Sequence, residues 1–190
     1  MFKFHNVRMY LLILLLAEIN SPLPGHAATQ GTLGPTSTGS VNISVTKVVE
    51  AQITDISDMT LPSWSIGDGD VTLYSNICVY SSTGSYKVTA TGSGAGNAFT
   101  LSSGGNDIPY SVTWNSNGTG ALDNNGTPLG SNMQSTDFSN AATTTADCNH
   151  GGAGNDTARV IINITDADMT AAMASSTPYS GTITMLITPF

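Results

Sequence analysis

The sequence predicts an all-β fold in the form of a β-sandwich. Short runs of alternating apolar and polar residues recur along the chain, and a period of two is that of a β-strand. Turn residues separate these runs roughly every eight to twelve residues, a spacing typical of sandwiches. Charged residues make up only 9% of the chain, and Ser, Thr, Asn and Gly fill most polar positions. This composition favours strands and turns over long helices.

The first 27 residues have the pattern of a signal peptide. Lys3 and Arg8 precede an apolar run from 9 to 19, and small residues at Gly25 and Ala27 fit a cleavage site after Ala27. The apolar run is too short to span a bilayer. We therefore expect export of the chain, with no membrane insertion of the mature protein.

The mature chain is expected to form one acidic domain. Cleavage after Ala27 leaves 163 residues (190 minus 27), enough for a core of its own. Three basic residues remain, Lys47, Lys87 and Arg159, against 12 carboxylates, so the net charge is 3 minus 12, or −9. A chain with this balance repels phosphates, which excludes nucleic acid and anionic membranes as expected partners.

Two N-terminal segments differ in pattern. Residues 28–39 alternate poorly and have one large apolar residue, Leu33, so they are predicted to be an extension outside the domain. Residues 40–190 form the predicted domain, and its first strand is predicted over 40–49, where three β-branched residues alternate with polar ones: Val41, Ile43 and Val45. Residues 52–61 are either a bend or a second short strand.

The central part predicts a strand over 73–80, followed by a meander of hairpins. Its runs cover 86–91, 99–101 and 108–114, separated by Gly-rich turns. Residues 115–157 have the weakest pattern, with Phe138 in a possible strand.

The last third predicts two strands around a short helix. Val160, Ile162 and Ile164 alternate as in a strand. Thr165 with Asp168 resembles a capping box, so one or two helical turns are expected over 169–174.

The C-terminal run, 179–190, predicts a strand with one apolar face. Ile183, Met185 and Ile187 alternate with threonines, and Phe190 follows. No further run comes after it, so one edge of this strand is expected to lack a partner from the same chain. An unpaired edge beside an apolar face favours pairing with another chain.

The two cysteines predict one disulfide. Cys78 and Cys148 are the only cysteines, and an exported protein with two cysteines is expected to oxidise them. A bond between residues 70 apart would stabilise the fold by roughly 4 kcal/mol through chain entropy.

Catalytic and metal-binding patterns are weak, and no enzyme, cofactor or metal is expected. His150 is the only histidine of the mature chain, and no nucleophile elbow accompanies it. Asp68 and Asp70 match only the start of a calcium loop, for which a plain turn is the alternative. Trp64 and Trp114 are either core residues or a sugar-stacking platform.

Taken together, these residues resemble the chaperone–usher pilins, in particular the archaic type with spore coat protein U domains. The resemblance rests on the signal peptide, the run Gly39–Val45, Cys78 followed by the run Tyr86–Ala90, a second cysteine before a strand, and the ending Tyr-Ser-Gly-Thr-Ile-Thr-Met-Leu-Ile at 179–187.

The resemblance implies an immunoglobulin-like sandwich that lacks its last strand and is completed by donor-strand exchange. Its partners would be a periplasmic chaperone, an outer-membrane usher and other pilin subunits. The edge formed by Ile183, Met185, Ile187 and Phe190 would accept the strand, first in the periplasm and then in a surface fimbrium serving adhesion or biofilm formation. The N-terminal extension, 28–39, would be the candidate donor segment. The candidate residues for the donor or the first strand are Leu33, Val41, Ile43 and Val45.

One departure from the family leaves an alternative open. In the family a cysteine often lies in the first strand, whereas the run 40–49 has none. If Val41, Ile43 and Val45 belong to the subunit's own first strand, the donor is weak. The alternative is a minor or terminal subunit, or a secreted, self-complete module that binds a glycan or a protein.

Overall fold

The computed structural model describes residues 28–61, 63–117, 123–148 and 155–190. They divide into two units, one ending at Lys47 and one running from Val48 to Phe190. The predicted signal peptide, 1–27, and His150 lie outside the described residues.

The N-terminal unit contains little regular structure. Thr29 and Ser40 form an isolated antiparallel bridge, and no strand is assigned over 41–50. The prediction of a strand over 40–49 is therefore wrong for this structure. The alternation of apolar residues is present, but a strand also needs a neighbour that accepts its backbone hydrogen bonds.

The larger unit is all-β, as predicted: its described residues form antiparallel sheets, one short α-helix and a 3-10 turn at Ala95–Asn97. Its strands are β1 (Ala51–Thr54), β2 (Val71–Ser81), β3 (Tyr86–Gly92), β4 (Thr100–Ser103), β5 (Asn106–Pro109), β6 (Ser111–Asn115), β7 (Thr127–Leu129), β8 (Met133–Gln134), β9 (Ala158–Ile164) and β10 (Ile183–Pro189). The helix α1 spans Asp166–Ala171. Its N-cap Thr165 accepts a 3.1 Å hydrogen bond from the Asp168 backbone N–H, which confirms the predicted cap.

Two sheets form the sandwich. The five-stranded sheet has the order β1-β2-β9-β6-β7, and the three-stranded sheet has the order β10-β3-β8. Strands β4 and β5 form a separate hairpin. Residues from both sheets share one buried core, including Val88 of β3, Val112 of β6 and Ile162 of β9.

The predicted meander is only partly present. The hairpin of β4 and β5 forms, but β3 pairs with β10 and β8 in the other sheet. The run 108–114 is broken at Tyr110, whose backbone N–H bonds to the Phe99 carbonyl. The chain pairs with β4 before this point and with β9 after it, so the break marks a change of sheet.

Candidate functional site

The edge of β10 that faces away from β3 is the candidate functional site. Seven residues of β10 pair antiparallel with β3, from Ile183 opposite Gly92 to Pro189 opposite Tyr86. Among the described residues, no strand pairs with the other edge. Its strand prediction is confirmed, and β10 is an edge strand within this part of the chain.

The pattern of hydrogen bonds between β10 and β3 shows which backbone groups of β10 point away from β3. The Ser93 N–H donates to the Thr182 carbonyl over 3.0 Å, so Thr182 belongs to a hydrogen-bonded pair. In an antiparallel ladder such pairs alternate. The N–H and C=O groups of Ile183, Met185 and Ile187 therefore point away from β3, and no described residue bonds to them.

The same three residues carry the apolar side of the strand. Ile183, Met185 and Ile187 pack against the core, yet each is only partly buried. The partners of Met185 and Ile187 on β3, Ala90 and Val88, are by contrast fully buried. The unpaired backbone groups and the half-covered side chains thus occur at the same residues.

A second edge strand lies close to this one. β1 pairs only with β2 among the described strands, and it approaches β10 from the other sheet. Its inward residue Ile53 is partly buried against the same core. Two edges, each short of a neighbour, therefore flank the same side of the sandwich.

The end of β10 carries an exposed aromatic ring and an ion pair. Phe190 is half exposed, with the Lys87 Nζ 5.5 Å from its ring centroid. Lys87 also lies 3.4 Å from an Asp137 carboxylate oxygen. The Lys87 and Asp137 side chains are both accessible to solvent, so their ion pair contributes little to stability.

The predicted donor residues lie in the N-terminal unit. The exposed fractions are 69% for Val41, 90% for Ile43 and 94% for Val45, and Leu33 is fully exposed. Val48 and Val49, at the end of the predicted strand 40–49, are exposed by 68% and 55%. Five exposed valines and isoleucines within nine positions are an uncommon apolar surface.

The predicted disulfide is confirmed. Cys78 and Cys148 are bonded, with 5.8 Å between their Cα atoms. Beside it, the Ala142 backbone bonds to Val79 and Ser81 of β2. The cross-link therefore joins the loop before β9 to strand β2 of the five-stranded sheet, at the residue that lies opposite Thr54 of β1.

Trp114 is a core residue, and Trp64 packs against the same core while remaining partly exposed. Trp114 is 1% exposed, and its Nε1–H donates to the Tyr86 hydroxyl over 3.2 Å. Trp64 is partly buried, and its Nε1–H donates to the Gly69 carbonyl. A ring buried like Trp114 offers no face to a ligand.

Burial changes the acidity of two phenols. Removal from water raises the pKa of Tyr86 to about 12, with the hydrogen bond from Trp114 acting in the opposite direction. Burial likewise raises the pKa of Tyr110. Both groups stay neutral at physiological pH, as core tyrosines do.

The carboxylates considered for calcium have backbone partners instead. An Asp68 oxygen accepts from the Ser65 N–H, and an Asp70 oxygen accepts from the Asp166 N–H at the start of α1. No group of three or more metal-ligating side chains occurs within the described ranges. No helix among those residues is long and apolar enough to cross a bilayer.

Comparison of the chain with protein-family models found no match, and a search of the curated proteins found none either.

Proposed function

We propose that this protein is a structural subunit of a cell-surface fibre, assembled by donor-strand exchange in the manner of chaperone–usher pilins. The open edge of β10 carries the proposal, because it combines unpaired backbone groups with half-covered apolar side chains at Ile183, Met185 and Ile187. A strand added there would form hydrogen bonds with these backbone groups and bury these side chains.

The strand order of the two sheets supports an immunoglobulin-like arrangement. That fold places strands A, B, E and D in one sheet and C, F and G in the other. The letters A to F follow the order of strands along the chain. On that basis the sheet β1-β2-β9-β6 corresponds to A-B-E-D, and β3 and β10 correspond to C and F. The place of G is the free edge of β10, and no described strand occupies it.

The disulfide supports the expected location. Disulfides form and persist in oxidising compartments, which fits export through the periplasm to the cell surface. In this proposal a periplasmic chaperone first covers the edge, an outer-membrane usher organises assembly, and a neighbouring subunit then takes the chaperone's place. The resulting fimbrium would serve adhesion or biofilm formation.

The test uses the chain from residue 28 and two matched variants. One variant, the apolar-face variant, replaces the three apolar donor candidates of the run 41–46 (Val41→Asn, Ile43→Asn, Val45→Asn). The control replaces two polar residues of the same run (Ser44→Asn, Thr46→Asn). Size-exclusion chromatography and electron microscopy measure polymerisation after refolding.

We expect the native chain and the control to form fibres or large oligomers, and the apolar-face variant to lose at least about tenfold in polymer yield. A stable monomer of the native chain, with the same thermal midpoint as the apolar-face variant, would overturn the proposal.

A further inference from the structure

A polar cleft that shares no residue with β10 lies beside the disulfide. It has a volume of about 540 Å³ and is lined by the segment 140–145, by Cys148 and by Thr157, the residue before β9. Small-molecule sites in proteins commonly have volumes of about 300 to 1,000 Å³. The cleft is therefore large enough to hold a small ligand.

The walls of the cleft are attached to one strand, β2. The Ala142 N–H donates to the Val79 carbonyl over 2.9 Å, and the Thr157 hydroxyl accepts from the Val79 N–H over 2.8 Å. The disulfide from Cys148 to Cys78 adds a covalent link to the same strand. Because these walls are already fixed, a ligand that binds between them pays little entropy for ordering the protein.

Several polar side chains of the cleft have no hydrogen-bond partner among the described residues. They are the amides of Asn117 and Asn155 and the hydroxyl of Thr143, and Asn117 is bonded only through its backbone N–H. The Asn140 amide donates to the Ser116 carbonyl, which leaves its own oxygen as an acceptor. Side-chain amides and hydroxyls can each donate and accept. The cleft thus presents donors and acceptors that the chain itself does not use.

The lining of the cleft is uncharged, which restricts the class of ligand. It consists of Asn, Thr and Ala residues and the bonded Cys148. A site for phosphate or carboxylate usually contains Arg or Lys, and a site for a drug-like apolar molecule has a mostly apolar lining. A neutral molecule rich in hydroxyl groups fits this lining, because each hydroxyl can donate to one protein group and accept from another.

We propose that this cleft binds a neutral glycan through Asn117, Asn155 and Thr143. The methyl groups of Ala141 and Ala142, which also line it, would contact the C–H groups of a sugar ring. The described lining contains no aromatic ring for stacking, so a single cleft binds weakly. In the fibre proposed above, repeated clefts would raise the affinity for a glycan-coated surface by about 10² to 10⁴. Only this gain rests on the proposed function, since the cleft lies within one molecule.

The test uses saturation-transfer NMR on the chain from residue 28, with maltose, cellobiose and lactose as neutral probes. The method observes the signals of the ligand, so it applies to a monomer and to a fibre alike. We expect at least one of the three disaccharides to give a saturable signal. A disaccharide that contains a uronic acid should bind at least about tenfold more weakly, because the cleft offers no cation and the chain repels anions.

Matched variants assign the binding to the cleft. Asn155→Ala and Thr143→Val should each weaken the neutral disaccharide at least about fivefold, because each removes an amide or hydroxyl that faces the ligand. The controls Asn42→Ala and Thr60→Val change exposed residues outside the cleft and should leave binding unchanged. The cleft variants should melt within about 2 °C of the native chain, since the described residues make no hydrogen bond to either side chain. Asn117→Ala replaces either variant if it melts earlier.

The outcomes separate this inference from the proposed function. Binding that the cleft variants weaken and the controls keep supports the inference, whether or not the chain polymerises. The absence of a saturable signal from all three neutral probes, or equal binding by the cleft variants, overturns it and leaves the fibre function standing. Equal or stronger binding of the uronic-acid disaccharide overturns the assignment of a neutral ligand. A chain that binds a neutral disaccharide but never polymerises contradicts the fibre function alone.

Discussion

Strands β9 and β10 are both seven residues long and both alternate apolar with polar residues, yet they occupy opposite environments. β9 pairs with β2 on one edge and with β6 on the other. Its inward residues Val160, Ile162 and Ile164 are at most 6% exposed. β10 pairs with β3 alone among the described strands, and its inward residues are only partly buried.

The difference shows that the alternation of apolar and polar residues in a strand does not by itself determine how far its side chains are buried. A second neighbour closes the backbone of β9 and also covers its side chains. β10 has the same alternation but no second neighbour among the described strands. Some of its backbone groups are therefore unpaired, and its inward side chains are only partly buried. Such an edge is a site for strand addition when the added strand both forms hydrogen bonds with the unpaired backbone groups and covers the apolar side chains.

Hydrogen exchange gives the largest expected contrast between the two strands. In the unpolymerised protein, the amides of Ile183, Met185 and Ile187 are expected to exchange at close to the rate of an unfolded chain, because they point away from β3. The amides of β9 should be protected by several kcal/mol, up to the global free energy of unfolding. Exchange followed by NMR or mass spectrometry measures this, and polymerisation should protect the three β10 amides. Strong protection of all three in a monomer would contradict an open edge.

Matched truncations test the side chains of the same two strands. Ile162→Ala on β9 is expected to lower the free energy of unfolding by about 3 to 4 kcal/mol, because a buried cavity remains. Ile187→Ala on β10 should cost only about 1 to 2 kcal/mol in the monomer, because water already reaches that side chain. Urea unfolding of both variants gives the two values. Equal losses in the monomer would mean that β10 is as closed as β9.

An alkaline titration tests whether water enters the core along the open edge. Tyr86 lies on β3 opposite Pro189 of β10, and its pKa in the folded protein is raised to about 12, against about 10 when unfolded. Its contribution to stability is complete below pH 10 and is lost as the pH rises through 12, because the unfolded chain gives up the proton first. The expected loss is about 2 to 3 kcal/mol, measured by urea unfolding from pH 9 to 12.

Tyr86→Phe is the control for this titration. It should be less stable at neutral pH, because the buried Trp114 Nε1–H loses its acceptor, but its stability should fall less with rising pH. Tyr110, whose pKa is also raised, contributes a loss of the same sign in both proteins. The same pH dependence in both proteins would indicate that water reaches the Tyr86 hydroxyl in the folded state.

Much of the local structure could be predicted from particular residues. The alternation at 160–164 and 183–187, the cap at Thr165 and the pairing of Cys78 with Cys148 all appear in the structure. Each depends on a few neighbouring residues, or on there being only two cysteines. The candidate edge was found in the same way, from three apolar residues at a spacing of two.

Other structural features depended on contacts between residues that are far apart in the sequence. Val41, Ile43 and Val45 alternate like the residues of a strand but form none, because no described segment pairs with them. The run 108–114 breaks at Tyr110, where the partner changes from β4 to β9. The choice between core and ligand platform for Trp114 was settled by its burial beside Tyr86.

The sequence by itself determined the strand type of most segments, the disulfide and the apolar face of β10, because alternation and cysteine number are properties of the chain alone. Only the tertiary structure decided which strands have one neighbour and which have two. It also placed the end of β10 beside the start of β3, where Pro189 lies opposite Tyr86. Backbone pairing and burial are properties of neighbours brought together by folding, and a local pattern does not specify those neighbours.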